Sequence, residues 1–232
     1  MRRCRAPHHH RGRRVVAEGD HGQRAAAVFD ALGLTYEKAF ARSEAHRASL
    51  DWLLGRLAPG SRILDVGSGT GRPTASTLTA AGHEVLGVDV SPVMVELATR
   101  QVPDATFRCA DIREVPLEEG SFDTVCAYFS FLQMSRADQS GLLRRLARAL
   151  RPGGSLVFAT VPLDVEDFEA VFMGQPVRAT SFAAEDLVAV ANGAGLEVVS
   201  EQSVVFRPDH PDGFAEPHLF LYCRREIASL PG

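Results

Sequence analysis

The sequence has almost no lysine. Lys38 is the only one, so nearly all of its 25 basic residues are arginine. Together with abundant alanine, this bias points to a high-GC bacterial gene more than to a binding preference. An excess of charge of either sign is also missing. The formal net charge is −4 over 232 residues, which gives no global electrostatic reason to bind nucleic acid or an anionic membrane. No apolar run is long enough to span a bilayer, and no apolar stretch follows the N-terminal arginines, so a secretory signal is not expected. Cysteine is scarce: Cys4, Cys109, Cys126 and Cys223 form no C-x-x-C pair. Free thiols in a reducing cytosol are expected, with Cys109 and Cys126 in buried strands. His8–His10 and Cys4 lack the spacing of a structural metal site, and no metal is expected.

What is present divides into three parts. Residues 1–22 are rich in arginine, histidine and glycine with no periodic apolar face, and read as a disordered basic extension. Residues 23–58 read as a helical cap. Two short helices over 25–32 and 36–42 are broken at Gly33. Ser43 then caps a third helix with Leu50, Leu53, Leu54 and Leu57 at helical spacing, ended by Pro59-Gly60. Residues 59–232 alternate strand and helix patterns, which predicts a mainly parallel sheet with helices on both faces.

The chain is organised around residues 63–73, ILDVGSGTGRP. Ile63, Leu64 and Val66 end a buried strand. Gly67, Gly69 and Gly71 make a turn that permits positive φ and close approach of a ligand, and a helix N-terminus with unpaired N–H groups follows. The dinucleotide fingerprint G-x-G-x-x-G has its third glycine where Arg72 stands. What stands instead is an acidic residue, Asp65, followed by alternating glycines. This resembles motif I of the class I S-adenosylmethionine-dependent methyltransferases. The resemblance implies that Asp65, Gly67, Ser68, Gly69 and Gly71 surround the cationic amino-acid end of S-adenosylmethionine, where a carboxylate is a better neighbour than it would be for a pyrophosphate.

Further motifs follow in the expected order. A helix over 74–81 stops at Gly82, and the strand 84–88 ends at Asp89, about 20 residues beyond the glycines, where a carboxylate pairs with ribose hydroxyls. Val90 follows it, and Ser91-Pro92 opens a helix carrying Met94. The resemblance places Met94 on the adenine, Asp111 on its amino group, Ile112 on its ring, and Tyr36 near the cofactor carboxylate. The strand 123–128 resembles the one whose end faces the transferable methyl, with Tyr128, Ser130 and Gln133 as the active-site floor. It reads CAYFSFLQM and lacks the N/D-P-P-Y/F pattern of DNA-base amino methylation. LRPGGSLVF resembles the family's post-core motif, and residues 162–180 are expected to cover the substrate cleft. A helix over 183–192 and strands over 196–201 and 218–223 close the chain. His218 is a candidate general base because imidazole titrates near neutrality.

The resemblance therefore implies an α/β, doubly wound, mostly parallel seven-stranded sheet with an antiparallel last strand and an N-terminal helical cap. It implies a methyltransferase moving a methyl group from S-adenosylmethionine to an O, N or C atom of a small molecule, in secondary metabolism. Tyr128 and Gln133 would orient the acceptor. A cytoplasmic bacterial monomer or homodimer is expected, with no nucleic-acid or membrane partner. Two alternatives stand: an NAD(P)-dependent oxidoreductase, disfavoured by Arg72, and a protein that binds S-adenosylmethionine without transferring methyl groups.

Overall fold

The computed structural model describes residues 20–227. The residues expected to form a basic extension, with Cys4 and His8–His10, lie outside that range up to position 19. The first helix, α1 (Asp20–Leu32), opens three residues earlier than the expected boundary of the cap. α2 (Leu34–Phe40) and α3 (Glu44–Leu54) follow. Gly33 separates the first two at φ 47. Ser43 caps α3 by accepting from the His46 N–H.

The Rossmann-like part runs β1 (Arg62–Val66), α4 (Thr74–Ala80), β2 (Glu84–Asp89), α5 (Pro92–Gln101), β3 (Thr106–Cys109), β4 (Phe122–Tyr128), α6 (Arg136–Ala149) and β5 (Leu150–Thr160). A hairpin of β6 (Val165–Phe172) and β7 (Gln175–Ser181) follows, then α7 (Ala184–Gly193), β8 (Leu196–Phe206) and β9 (Glu216–Arg225). The main sheet has seven strands in the order β3-β2-β1-β4-β5-β9-β8. β9 runs antiparallel to both β5 and β8, and the other pairings are parallel.

Both faces of the sheet are covered, so its central strands are apolar on both sides. Leu64, Val125, Leu156 and Leu221 belong to one cluster, which packs on Leu142, Leu143 and Leu146 of α6 and Leu187 of α7. Their neighbours Ile63, Cys126, Val157 and Tyr222 face the other cluster, with Leu50 and Leu53 of α3 and Leu78 of α4. The period-2 alternation of side chains makes this division. Cys109, expected in a buried strand, is exposed because β3 is the edge of the sheet. A third, small cluster joins Val28, Leu32 and Ala39 of the cap to Met173 in the hairpin turn.

The segment 162–180, expected only as a covering loop, is largely this hairpin. Buried Gln139 of α6 holds it in place. Its Nε2 donates to the carbonyls of Thr180 at 2.9 Å, Met134 at 3.1 Å and Phe131 at 3.2 Å. Replacing Gln139 with leucine removes the donor to the Thr180 and Met134 carbonyls in a buried place, while the Phe131 carbonyl keeps the Met134 N–H, and costs about 2 kcal/mol. Urea titration of Gln139→Leu measures this; an unchanged midpoint would show that the amide is dispensable.

Candidate functional site

A cleft opens at the C-terminal ends of β1, β2 and β4, where the strand order reverses direction. Ligands bind open α/β sheets at that place. Its cavity volume is about 210 Å³, against the roughly 10–15 Å³ that holds one water.

One end of the cleft is built by the loops after β1, β2 and β3. Gly67 and Gly69 line the cleft at φ 69 and 52. Asp89, at the end of β2, accepts from the Gly69 N–H at 2.8 Å and from the Ser91 N–H at 2.9 Å, one on each oxygen. Burial raises its pKa above the usual carboxylate range, and those N–H groups pull the other way. Val90, Asp111 and Ile112 also line the cleft. Asp111 is not free to act alone: Arg113 donates to both its oxygens and also reaches Asp138. Burial pushes the Asp111 carboxyl up, but the Arg113 contacts outweigh it and hold the group below its ordinary range.

The other end is aromatic. Phe29, Tyr36 and Phe40 of the cap meet Phe172 of the hairpin above the cleft, with Tyr36–Phe40 centroids 4.8 Å apart and Phe40–Phe172 6.2 Å apart. The Tyr36 hydroxyl is held in its neutral form by burial and by the negative charges of Glu216 and Asp89, which raise its pKa. The cap is tied down at two points, in α1 and in α2. Asp30 accepts from the Ser91 hydroxyl at 2.6 Å, and Glu37 accepts from the Gln101 amide at 2.9 Å.

The floor between the two ends is Tyr128, Phe129, Ser130 and Gln133. Phe129 adopts φ 55, an unusual conformation for a bulky residue. Tyr128 hydrogen-bonds Ser49 at 2.8 Å and lies 3.9 Å from the His46 ring. His46 is itself bonded to Thr74 at 3.0 Å. Burial first, and then electrostatic coupling to His218 and Arg47, push its pKa down to about 3, so the His46 ring is neutral.

The structure thus brings Tyr36, Gly67, Gly69, Asp89, Val90, Asp111, Ile112, Tyr128 and Gln133 to one cleft. Five other expected residues do not line it. Asp65 is buried in β1, and its Oδ2 has no partner among the described residues. Ser68 turns its hydroxyl toward Gly87, where a side chain would come within 2.8 Å of it. Gly71 is a packing glycine: a Cβ there would lie 3.0 Å from both Phe107 and Val102. Met94 is fully buried in α5. His218 is buried behind the wall, and it is Glu216, bonded to His218 at 2.9 Å, that lines the cleft. Glu216, Arg113 and the aromatic roof were not foreseen. For Glu216 a signal existed, because two residues apart on a strand means the same face as His218.

A doubly wound sheet with a glycine turn, a carboxylate at the end of β2 and a cleft at the reversal point defines a nucleoside-binding α/β protein. Comparison with known proteins narrows the class. The family model described as "Methyltransferase domain" matches residues 63–154. A demethylmenaquinone methyltransferase of Beutenbergia cavernae is 39% identical over 129 residues, covering 54% of this chain and 51% of that protein. An uncharacterized methyltransferase of Synechocystis is 31% identical over 151 residues, covering 62% of this chain and 70% of that protein. The crystal structure of Burkholderia thailandensis 1,6-didemethyltoxoflavin-N1-methyltransferase, with bound 1,6-didemethyltoxoflavin and S-adenosylhomocysteine, superposes with a TM-score of 0.69. It covers 97% of this chain and 94% of that one at 21% identity, a likeness of fold. The chain belongs to the class I S-adenosylmethionine-dependent methyltransferase family. Several curated relatives are matched over only about half of their own length or less.

The residues present fit the family's cofactor. At Gly69 the space a Cβ would fill is open, with nothing within 4 Å, so a ligand can lie against the backbone there. Each Asp89 oxygen accepts one N–H and keeps capacity for a hydroxyl.

Proposed function

We propose that the protein transfers the methyl group of S-adenosylmethionine to an O, N or C atom of a small-molecule acceptor. The observation that carries this is the single cleft joining the Gly69–Asp89 end to an aromatic chamber. When bound, the cofactor supplies an electrophilic methyl on a sulfonium, so the chemistry asks mainly for alignment of the acceptor. The turn at Gly67 and Gly69 would hold the amino-acid end, Asp89 the ribose diol, and Val90, Asp111 and Ile112 the adenine. Tyr128 and Gln133 orient the acceptor, and the roof of Phe29, Phe40 and Phe172 excludes water.

We place the protein in the bacterial cytoplasm, in secondary metabolism, as a monomer or homodimer without nucleic-acid or membrane partners. Among the described residues no helix is long and apolar enough to cross a membrane. The cap, 23–58, and the segment near 162–180 would together close over the acceptor.

Isothermal titration with S-adenosylhomocysteine, with NAD and NADP as controls, tests the cofactor. Only the first is expected to bind. Asp89→Ala removes charge-assisted bonds to the diol and is expected to weaken binding about 10–100-fold. Thermal unfolding of the variant controls for the loss of the partners of Gly69 and Ser91. Binding of NAD or NADP instead would overturn the proposal. Transfer of labelled methyl in an acceptor screen separates an enzyme from a protein that only binds the cofactor.

A further inference from the structure

Three acids line the cleft, and two have work at the nucleoside end. Asp89 is held by backbone N–H groups, and Asp111 is clamped by Arg113. The third, Glu216, stands at the start of β9 on the side of the aromatic chamber. Among the described residues the only hydrogen-bond partner of its side chain is the imidazole of His218, with Nε2 2.9 Å from Oε1.

The surroundings of His218 fix the direction of that bond. Its side chain has no exposed surface. It is packed among Phe129, Phe206 and Phe40, with centroids at 4.4, 5.3 and 6.3 Å. Its Nδ1 has no partner among the described residues. With the ring proton on Nε2, the imidazole donates to Glu216 and leaves Nδ1 as a bare acceptor. With the proton on Nδ1, a buried N–H would go unpaired while two lone pairs faced each other, the costlier arrangement. The imidazole is therefore the donor, and Glu216 is a carboxylate oriented from behind with its remaining acceptor capacity toward the cleft.

We propose that Glu216 is the proton acceptor for an apolar, ring-bearing hydroxyl compound, and that His218 positions it; this rests on the methyltransferase reading above. The chamber beside Glu216 is walled by Phe29, Phe40, Phe129, Phe172, Leu132 and Val177, which suits a ring system. A carboxylate acceptor would be repelled by Glu216, and an amine would be held in its protonated, non-nucleophilic form. A hydroxyl is matched, because its proton must leave as its oxygen reacts. The acceptor oxygen forms a bond to the methyl carbon while the carbon–sulfur bond breaks with its electron pair left on sulfur. The hydroxyl proton passes to the Glu216 carboxylate, which later returns it to solvent. The sum is a methyl ether, a thioether and one proton.

2-Naphthol tests this without requiring turnover. When excited it becomes a strong acid, and its neutral and ionised forms emit at different wavelengths. In a pocket that excludes water, the ionised band requires a base in contact with the hydroxyl. The protein is first saturated with S-adenosylhomocysteine, followed calorimetrically. Failure at that step overturns the cofactor reading and not merely this inference. With that ligand bound, naphthol is expected to bind and to show the ionised band. Glu216→Gln is expected to bind both compounds and to lose that band. His218→Leu, the second variant, leaves the carboxylate in place and weakens the band, whereas His218→Gln, which keeps an N–H donor, restores it. Absence of naphthol binding, or an ionised band unchanged in Glu216→Gln, would overturn the proposal.

Discussion

Replacing Asp65 with asparagine flattens the dependence of stability on pH between about pH 4 and 7 and makes the protein more stable at about pH 8. Asp65 is 2% exposed, and its Oδ2 has no partner among the described residues. Burial, and then the charge of Asp89, push its pKa from 3.8 up to about 7. Between those two values the folded protein holds a proton on Asp65 that the unfolded chain has released. The stabilisation is fully present below the lower value and is lost as pH rises through the upper one. A shift of about three units corresponds to about 4 kcal/mol across that window. Above it the native state carries a buried, unpaired carboxylate, which asparagine does not. Urea unfolding at both ends of the window checks this. An Asp65→Asn variant that kept the wild-type slope would assign the pH dependence to another group.

Gly67→Ala is expected to destabilise the fold by about 3 kcal/mol through two separable effects. The residue lies at φ 69, where a Cβ is strained. The added carbon would also stand 2.3 Å from the Cβ of Ser130, at the end of β4. That second contact is between two backbone-proximal atoms, so no rotamer change relieves it. Ser130→Gly removes the clash but not the strain. The double variant should therefore recover about 1–3 kcal/mol and leave the remainder. Denaturant titration of the four-member cycle measures the coupling. If the two substitutions simply add, the close approach of the β1 and β4 loops is not what requires a glycine.

Most of the main sheet was legible because its strands are short apolar runs bounded by glycine, proline and capping residues. Ser43 and Ser91 cap their helices by accepting from His46 and Met94, a local pattern that the sequence displays directly. The hairpin of β6 and β7 was not legible. Its first strand is largely exposed, so it has no alternating apolar signal. Its two-residue turn is Met173-Gly174, at φ 48 and 79, where asparagine or aspartate usually precedes the glycine. Ionic contacts of Arg178 with Asp167 and Glu169 across the strands brace it, and no local periodicity announces them.

The site was legible in part for a similar reason. A motif tells which residue types are present but not which way they turn. Val66 lines the cleft while its neighbour Asp65 does not. Gly71 carries the packing of the turn against β3 and α5, a task indistinguishable by letter from that of Gly69. The aromatic roof comes from segments far apart in the chain, α1, α2 and the hairpin, and only the fold brings them together.

That separation has an evolutionary consequence. The roof is packed through its own small cluster of Val28, Leu32, Ala39 and Met173, apart from the two clusters that flank the sheet. Changes of size or shape at Phe29 or Phe172 therefore reshape the chamber while the helices on the sheet stay packed, whereas Phe40 also packs on His218 and Phe206. The two clusters that flank the sheet take no part in that packing. A lineage carrying this scaffold can change what the chamber admits by a few substitutions, each individually tolerable, without first finding a new way to fold.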